Sequence, residues 1–283
     1  KTVIPPQTTP DPVSSLKVAL DALAAHPNVP PFIAKQMIQR LVTSNPSPAY
    51  VARAANAFKA SGLNLGALVK AILLDSEAMT PSGLNGGKVR EPVLRFTALL
   101  RAYGAKSSSG DFIIGLTDNP ATRLGQSPMM SPSVFNFYRP GYVPPASRTS
   151  AASLVSPEMQ ILHETSAAGY VNFMRDVIWG GVGLRGYNNT GAQPDVLLEY
   201  NSSNSATLPL ADDPAVLVES INAKLMYGTM PASRKNEIAA AIATIDLRSK
   251  VSPTEEQIFK TRQRRVWSAL LLTVASPEYQ VQM

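Results

Sequence analysis

Two places in the sequence concentrate residues able to do chemistry. The first is the run Asn136-Phe137-Tyr138-Arg139-Pro140-Gly141-Tyr142. A guanidinium there suits a planar carboxylate or sulfate through paired donors, and the rings of Tyr138 and Tyr142 suit the face of a sugar. Asn136, Tyr138, Arg139 and Tyr142 are therefore the ligand-binding candidates. A competing reading has the aromatics pin a long loop to neighbouring helices while Arg139 bonds backbone carbonyls. The second place is His163-Glu164, with Asn172 and Arg175 further along the same predicted helix. Either of the pair suits general acid or base work, so Glu164 and His163 are the catalytic candidates. Its competing reading is a hydrogen-bonded structural role. In an enzymatic reading these residues, with Asp111, line a cleft formed by the 104–157 loop and the 158–180 helix.

Other chemistries are poorly supplied. The chain has no cysteine, which removes disulfides, thiolate metal sites and cysteine nucleophiles. Its only histidines are His26 and His163, and neither has a second histidine at helical spacing. A zinc site of the His-Glu-x-x-His type is thus absent, and no metal or cofactor is expected. Asp111, Asp118 and Asn119 offer a weak set for a hard cation. Asp212-Asp213 before Pro214 reads as a helix cap and not as a calcium loop. Gly180-Gly181-Val182-Gly183 follows a helix, whereas phosphate loops precede one. Asn188-Asn189-Thr190 and Asn201-Ser202-Ser203 match glycosylation sequons.

The elements that must position these groups read as helices. Apolar residues recur at helical spacing over Val13–Ala25, Phe32–Thr43, Ala49–Ser61, Leu65–Asp75, Glu91–Tyr103, Pro157–Trp179, Pro214–Tyr227, Ala232–Ile245 and Glu255–Ala275. Ser14 and Ser15 are candidate caps of the first. Gln39, with Lys35 and Arg40, is expected on the outer face of the second. No stretch sustains the alternation of an antiparallel sheet. The expected fold is mostly α, an antiparallel helical array with long ordered loops and little or no sheet. A Pro- and Thr-rich lead-in at 1–12 precedes one helical domain over 13–283, with a subdivision into 13–105 and 155–283 joined by loop 106–154 as the variant. Residues 68–77 and 269–278 echo one another, each an apolar helix end closed by serine and an acid.

Composition narrows the setting. Of the 283 residues 45% are hydrophobic but only 16% are charged, against a typical quarter. Such a sparsely charged surface favours an extracytoplasmic protein. The net charge of +6 invites a polyanion, yet the one dense basic cluster is Lys260, Arg262, Arg264 and Arg265. No aromatic residues interleave with it, so it reads as a solvated helix face, and nucleic acid is not expected. No apolar run is long enough for a transmembrane segment.

Several segments resemble one family. They are His26-Pro27-Asn28-Val29 with Pro31-Phe32-Ile33; the run 39–51, Gln-Arg-Leu-Val-Thr-Ser-Asn-Pro-Ser-Pro-Ala-Tyr-Val; Lys88-Val89-Arg90-Glu91-Pro92-Val93-Leu94-Arg95; Leu124-Gly125-Gln126-Ser127-Pro128; residues 131–142 from Ser131 to Tyr142; and Ser276-Pro277-Glu278-Tyr279. Together they are similar to the C-terminal half of the domain-of-unknown-function 1800 family. The resemblance implies an exported bacterial protein, secreted, periplasmic or at the cell surface. The partners it implies are the family's N-terminal half and another protein or a glycan. It carries no agreed catalytic residue. The expected function is a helical interaction or structural protein, with the carbohydrate-active or other hydrolase as the alternative.

Overall fold

The computed structural model describes residues 3, 4, 6, 8–80, 86–183, 194–201, 205–246 and 253–282. It is mostly α-helical, as the periodicity predicts, with strands of only two residues. Two compact units divide the chain: residues 1–88 with 145–156, and residues 89–144 with 157–282. The sequon at Asn188 lies outside the described residues.

The first unit is built on four longer helices. Pro12–Ala24 (α1) starts on Asp11, whose carboxylate accepts from the N–H groups of Val13 and Ser14 at 3.1 Å. A carboxylate satisfies two orphan donors at once, so Asp11 and not the expected Ser14 or Ser15 is the cap. The apolar stripe of α1 stays at the surface, with no buried residue. Val29–Leu41 (α2) begins three residues before its predicted start. Pro30 and Pro31 sit inside its first turn, where a missing N–H costs nothing. Pro48–Ala60 (α3) and Leu65–Leu73 (α4) are capped by Ser47 and Asn64. Ala34, Ile38, Tyr50, Ala54, Phe58, Leu68 and Ile72 close the core among α2, α3 and α4.

Much of the run 39–51 is a polar framework. Gln39, expected on the outer face, is buried because its amide donates to the Ser44 carbonyl at 3.0 Å. The Thr43 hydroxyl donates to Gly87 O, and the buried Lys88 ammonium donates to the carbonyls of Gln39 and Arg40 at the end of α2. Asn45 and Val155 exchange two hydrogen bonds of 2.9 Å. Tyr50 donates to Ile72 O at 2.7 Å, and burial followed by the charges of Asp75 and Glu77 pushes its pKa up to about 12.

The second unit packs five longer helices. They are Pro92–Ala102 (α5), Glu164–Gly180 (α6), Pro214–Met226 (α7), Ala232–Ala243 (α8) and Glu255–Ala275 (α9). Phe96, Tyr170, Phe173, Val177, Leu217, Ile221, Ile242, Val266 and Leu270 meet in its core. Lys106–Ser107 (β1) and Val196–Leu197 (β2) pair antiparallel, with Lys106 opposite Leu197. The sequence predicts one helix over Pro157–Trp179, but the structure has a 3-10 turn at Pro157–Ile161 and a fresh start at Glu164. His163, in an extended conformation, interrupts the run.

Arg95 is the largest buried side chain of this unit, 1% exposed. It donates to Arg90 O at 2.9 Å and to Gln280 Oε1 at 3.0 Å, and its guanidinium lies 4.6 Å from the Tyr170 ring centroid. Among the described residues its Nη2 has no hydrogen-bond partner. Burial accordingly pulls its pKa down, against the opposing pull of Tyr170 and Tyr279. Because burial disfavours the charge, shape is expected to contribute more here than charge. Arg95→Ala is expected to cost about 3 kcal/mol, like other large-to-small core changes, and Arg95→Met less than half of that. Urea unfolding of the two variants checks the order; equal losses would show that the charge matters most.

Candidate functional site

The structure engages the residues with the most reactive side chains in local bonds and turns. His163 caps α6: its Nδ1 accepts from Ser166 N, while its own N–H donates to Ser166 Oγ at 2.9 Å. Glu164 is exposed in the first turn, where a carboxylate suits the positive end of the helix. Tyr138 is buried, 5% exposed. Arg139 is exposed; its N–H donates to Gln160 Oε1 at 2.8 Å, and its carbonyl accepts from Tyr142 N at 3.1 Å. Asn136 is exposed at φ +69° in a turn closed onto Ser133 O. Asp111 is exposed in a separate loop, where its N–H donates to Ser109 Oγ at 3.1 Å. These bonds tie the candidates to their own surroundings, and the one that joins two of them is the backbone bond from Tyr142 to Arg139. Among the described residues no group of three or more His, Asp or Glu is placed to hold a metal ion.

The basic cluster of α9 disperses. Arg265, expected on a solvated face, is buried, because it donates to Ile245 O at 2.9 Å and Ala211 O at 2.8 Å. Arg262 pairs with Asp212, and Lys260 with Glu256 one turn earlier. Arg264 is left exposed, with no ion pair among the described residues.

Arg264 borders a groove between α6 and α9 of about 200 Å³. The chain's two tryptophans meet there. Trp179 and Trp267 stack with ring centroids 4.5 Å apart and planes 24° apart. Trp179 is 62% exposed, far beyond what core packing of the largest side chain accounts for. Ile178, Leu271 and Ser268 complete the floor, and Arg175, paired with Asp176, stands at the other edge. Helical geometry builds this arrangement directly. Arg175 and Trp179 are four residues apart and Arg264 and Trp267 three, so each arginine lies beside its own tryptophan on the helix surface. That spacing is the sequence signal for the groove; Arg175 belongs to the second region that the reactive residue types single out, whereas Trp179, Arg264 and Trp267 are not among the candidates.

The lining of the groove is aromatic, aliphatic and basic, with one hydroxyl from Ser268. The fold and the groove define a mostly α-helical protein with an exposed tryptophan at a surface groove. The chain belongs to the family described as protein of unknown function (DUF1800), whose model matches residues 1–281. No curated protein and no solved structure matches it. No helix among the described residues is long and apolar enough to cross a membrane.

Proposed function

We propose that this protein is an exported interaction protein that binds an acidic glycan in the groove between α6 and α9. The observation that carries the reading is the stack of exposed Trp179 on half-buried Trp267 beside Arg264. Sugar rings present apolar C–H faces that suit indole, and an exposed arginine outside any ion pair of the described residues suits a uronate or sulfate. The sparsely charged surface supports work outside the cytoplasm.

Because both tryptophans lie in the groove, intrinsic fluorescence reports on it directly. Titration with an acidic oligosaccharide such as an oligogalacturonate is expected to change the emission, and a neutral oligoglucan to leave it unchanged. Trp179→Ala should weaken binding on the order of tenfold, the loss of about 1.4 kcal/mol of ring contact. Arg264→Gln should weaken it and flatten its dependence on salt. The reading fails if acidic oligosaccharides leave the emission unchanged, or if calorimetric affinity is the same in Trp179→Ala.

A further inference from the structure

The loop 128–136 carries a second exposed apolar feature. Met129 is 99% exposed, Val134 95% and Phe135 69%, with Met130 half exposed beside them. Phe135, an aromatic of the 104–157 loop, does not pack inward. The roots of the loop, in contrast, are held. Gln126 and Ser127 are buried on one side and Tyr138 on the other. Gln126 Oε1 accepts from Val93 N, and its backbone carbonyl accepts from the Thr117 hydroxyl at 2.6 Å. Between the roots the chain turns twice, Met130 N donating to Ser127 O and Asn136 N to Ser133 O, both at 3.1 Å. Met129 and Asn136 hold φ of +61° and +69°. Two adjacent turns on buried roots present four apolar side chains as a short finger.

The charge in the finger's own stretch of its unit has one sign. No aspartate or glutamate occurs between Asp118 and Pro144, while Arg123 and Arg139 do. Arg139 stands just past the buried root at Tyr138 and is exposed. An apolar tip with a basic rim matches an anionic lipid surface, where phenylalanine and methionine enter the acyl boundary and arginine stays with the phosphates. An acidic residue near the tip would oppose that approach, and none is present in this stretch.

We propose that loop 128–136 docks the protein on an anionic bilayer, with Met129, Val134 and Phe135 entering the interface and Arg139 contacting headgroup phosphates. The contact is peripheral and reversible, and it is separate from the glycan groove.

Flotation of the full chain with vesicles tests this. Vesicles of phosphatidylcholine mixed with phosphatidylglycerol should carry the protein up the gradient, and phosphatidylcholine alone should carry much less. High salt should reduce the bound fraction. The double variant Val134→Ser, Phe135→Ser should lower the bound fraction on the order of tenfold, as should Arg139→Glu. These side chains are exposed, so circular dichroism should match the parent. Trp179→Ala should float as the parent does, which separates this result from the glycan reading. The proposal is overturned if the parent stays with the unbound protein on mixed vesicles, or if the double variant floats unchanged. It is equally overturned if the parent self-associates through the loop and the double variant abolishes that association in place of vesicle binding.

Discussion

Gly169→Ala is expected to destabilise the protein by about 2 kcal/mol, although alanine is the better helix former. Gly169 lies inside α6, where propensity alone favours alanine by roughly 1 kcal/mol. Its flank, however, is occupied by backbone. A Cβ at this position would lie 2.9 Å from the carbonyl carbon of Ala121 and closer still to the Pro120 carbonyl oxygen. Backbone cannot rotate aside as a side-chain tip can, so the loop 117–126 must move as a whole. That loop is not free to do so. Leu124 is fully buried, and Leu124 N and Gln126 N both donate to Thr117 O. The overpacking strain therefore exceeds the gain in propensity. Gly180, at the end of the same helix, is the control, since a Cβ there meets nothing within 4 Å. Gly180→Ala should be neutral or slightly stabilising. Urea unfolding followed by circular dichroism measures both. A Gly169→Ala midpoint equal to the parent's would mean that the loop does not press on α6.

The contrast between those two glycines marks what a sequence can and cannot reveal. Period and breakers place most helices, and α9 spans Glu255–Ala275 as its apolar pattern indicates. Gly169 looks identical to any helical glycine until a loop some fifty residues earlier is seen against it. The same limit applies to His163. Met159, Leu162, Ser166 and Tyr170 continue one helical stripe, so nothing in the period announces the break, which depends on a reciprocal cap between His163 and Ser166. The second unit's groove depends on two helices far apart in the chain meeting at Trp179 and Trp267. Each Arg–Trp spacing is legible alone; their convergence is a tertiary fact. The echo between residues 68–77 and 269–278 is legible and has a structural counterpart. Asp75 and Ser276 each cap a one-turn helix directly after a longer one, and the acids of those turns, Glu77 and Glu278, each meet an arginine. The segments that resemble the family are largely such framework: Gln39, Thr43, Asn45, Lys88, Arg95, Gln126 and Tyr279 all hold backbone or one another in place.

Asp195→Asn should produce the other large loss, and its dependence on pH identifies the cause. Asp195 is fully buried, yet its carboxylate pKa lies well below the usual range. Burial pushes it up, but the donors around it more than reverse that push. Oδ1 accepts from Ser109 N at 2.8 Å and the Ser108 hydroxyl at 3.0 Å; Oδ2 accepts from Ile113 N at 2.8 Å and the Ser107 hydroxyl at 2.9 Å. One charged group thus organises the turn 107–113 and fastens it to β2. An asparagine supplies one oxygen and turns an amide donor toward two of those donors, so a pair of buried bonds becomes a pair of repulsions. Because the folded pKa is lowered, the carboxylate's contribution is complete above the unfolded value of about 3.9 and is lost as pH falls through the folded value. The parent should therefore lose stability more steeply than Asp195→Asn as the pH drops below about 4, and the gap between them, widest near neutrality, should close in acid. Unfolding midpoints from neutral pH into the acid range measure the gap. A gap that stays constant would mean that shape and not charge holds this turn. A closing gap would place the anchor of the 107–113 turn on a single ionised group supplied from beside β2.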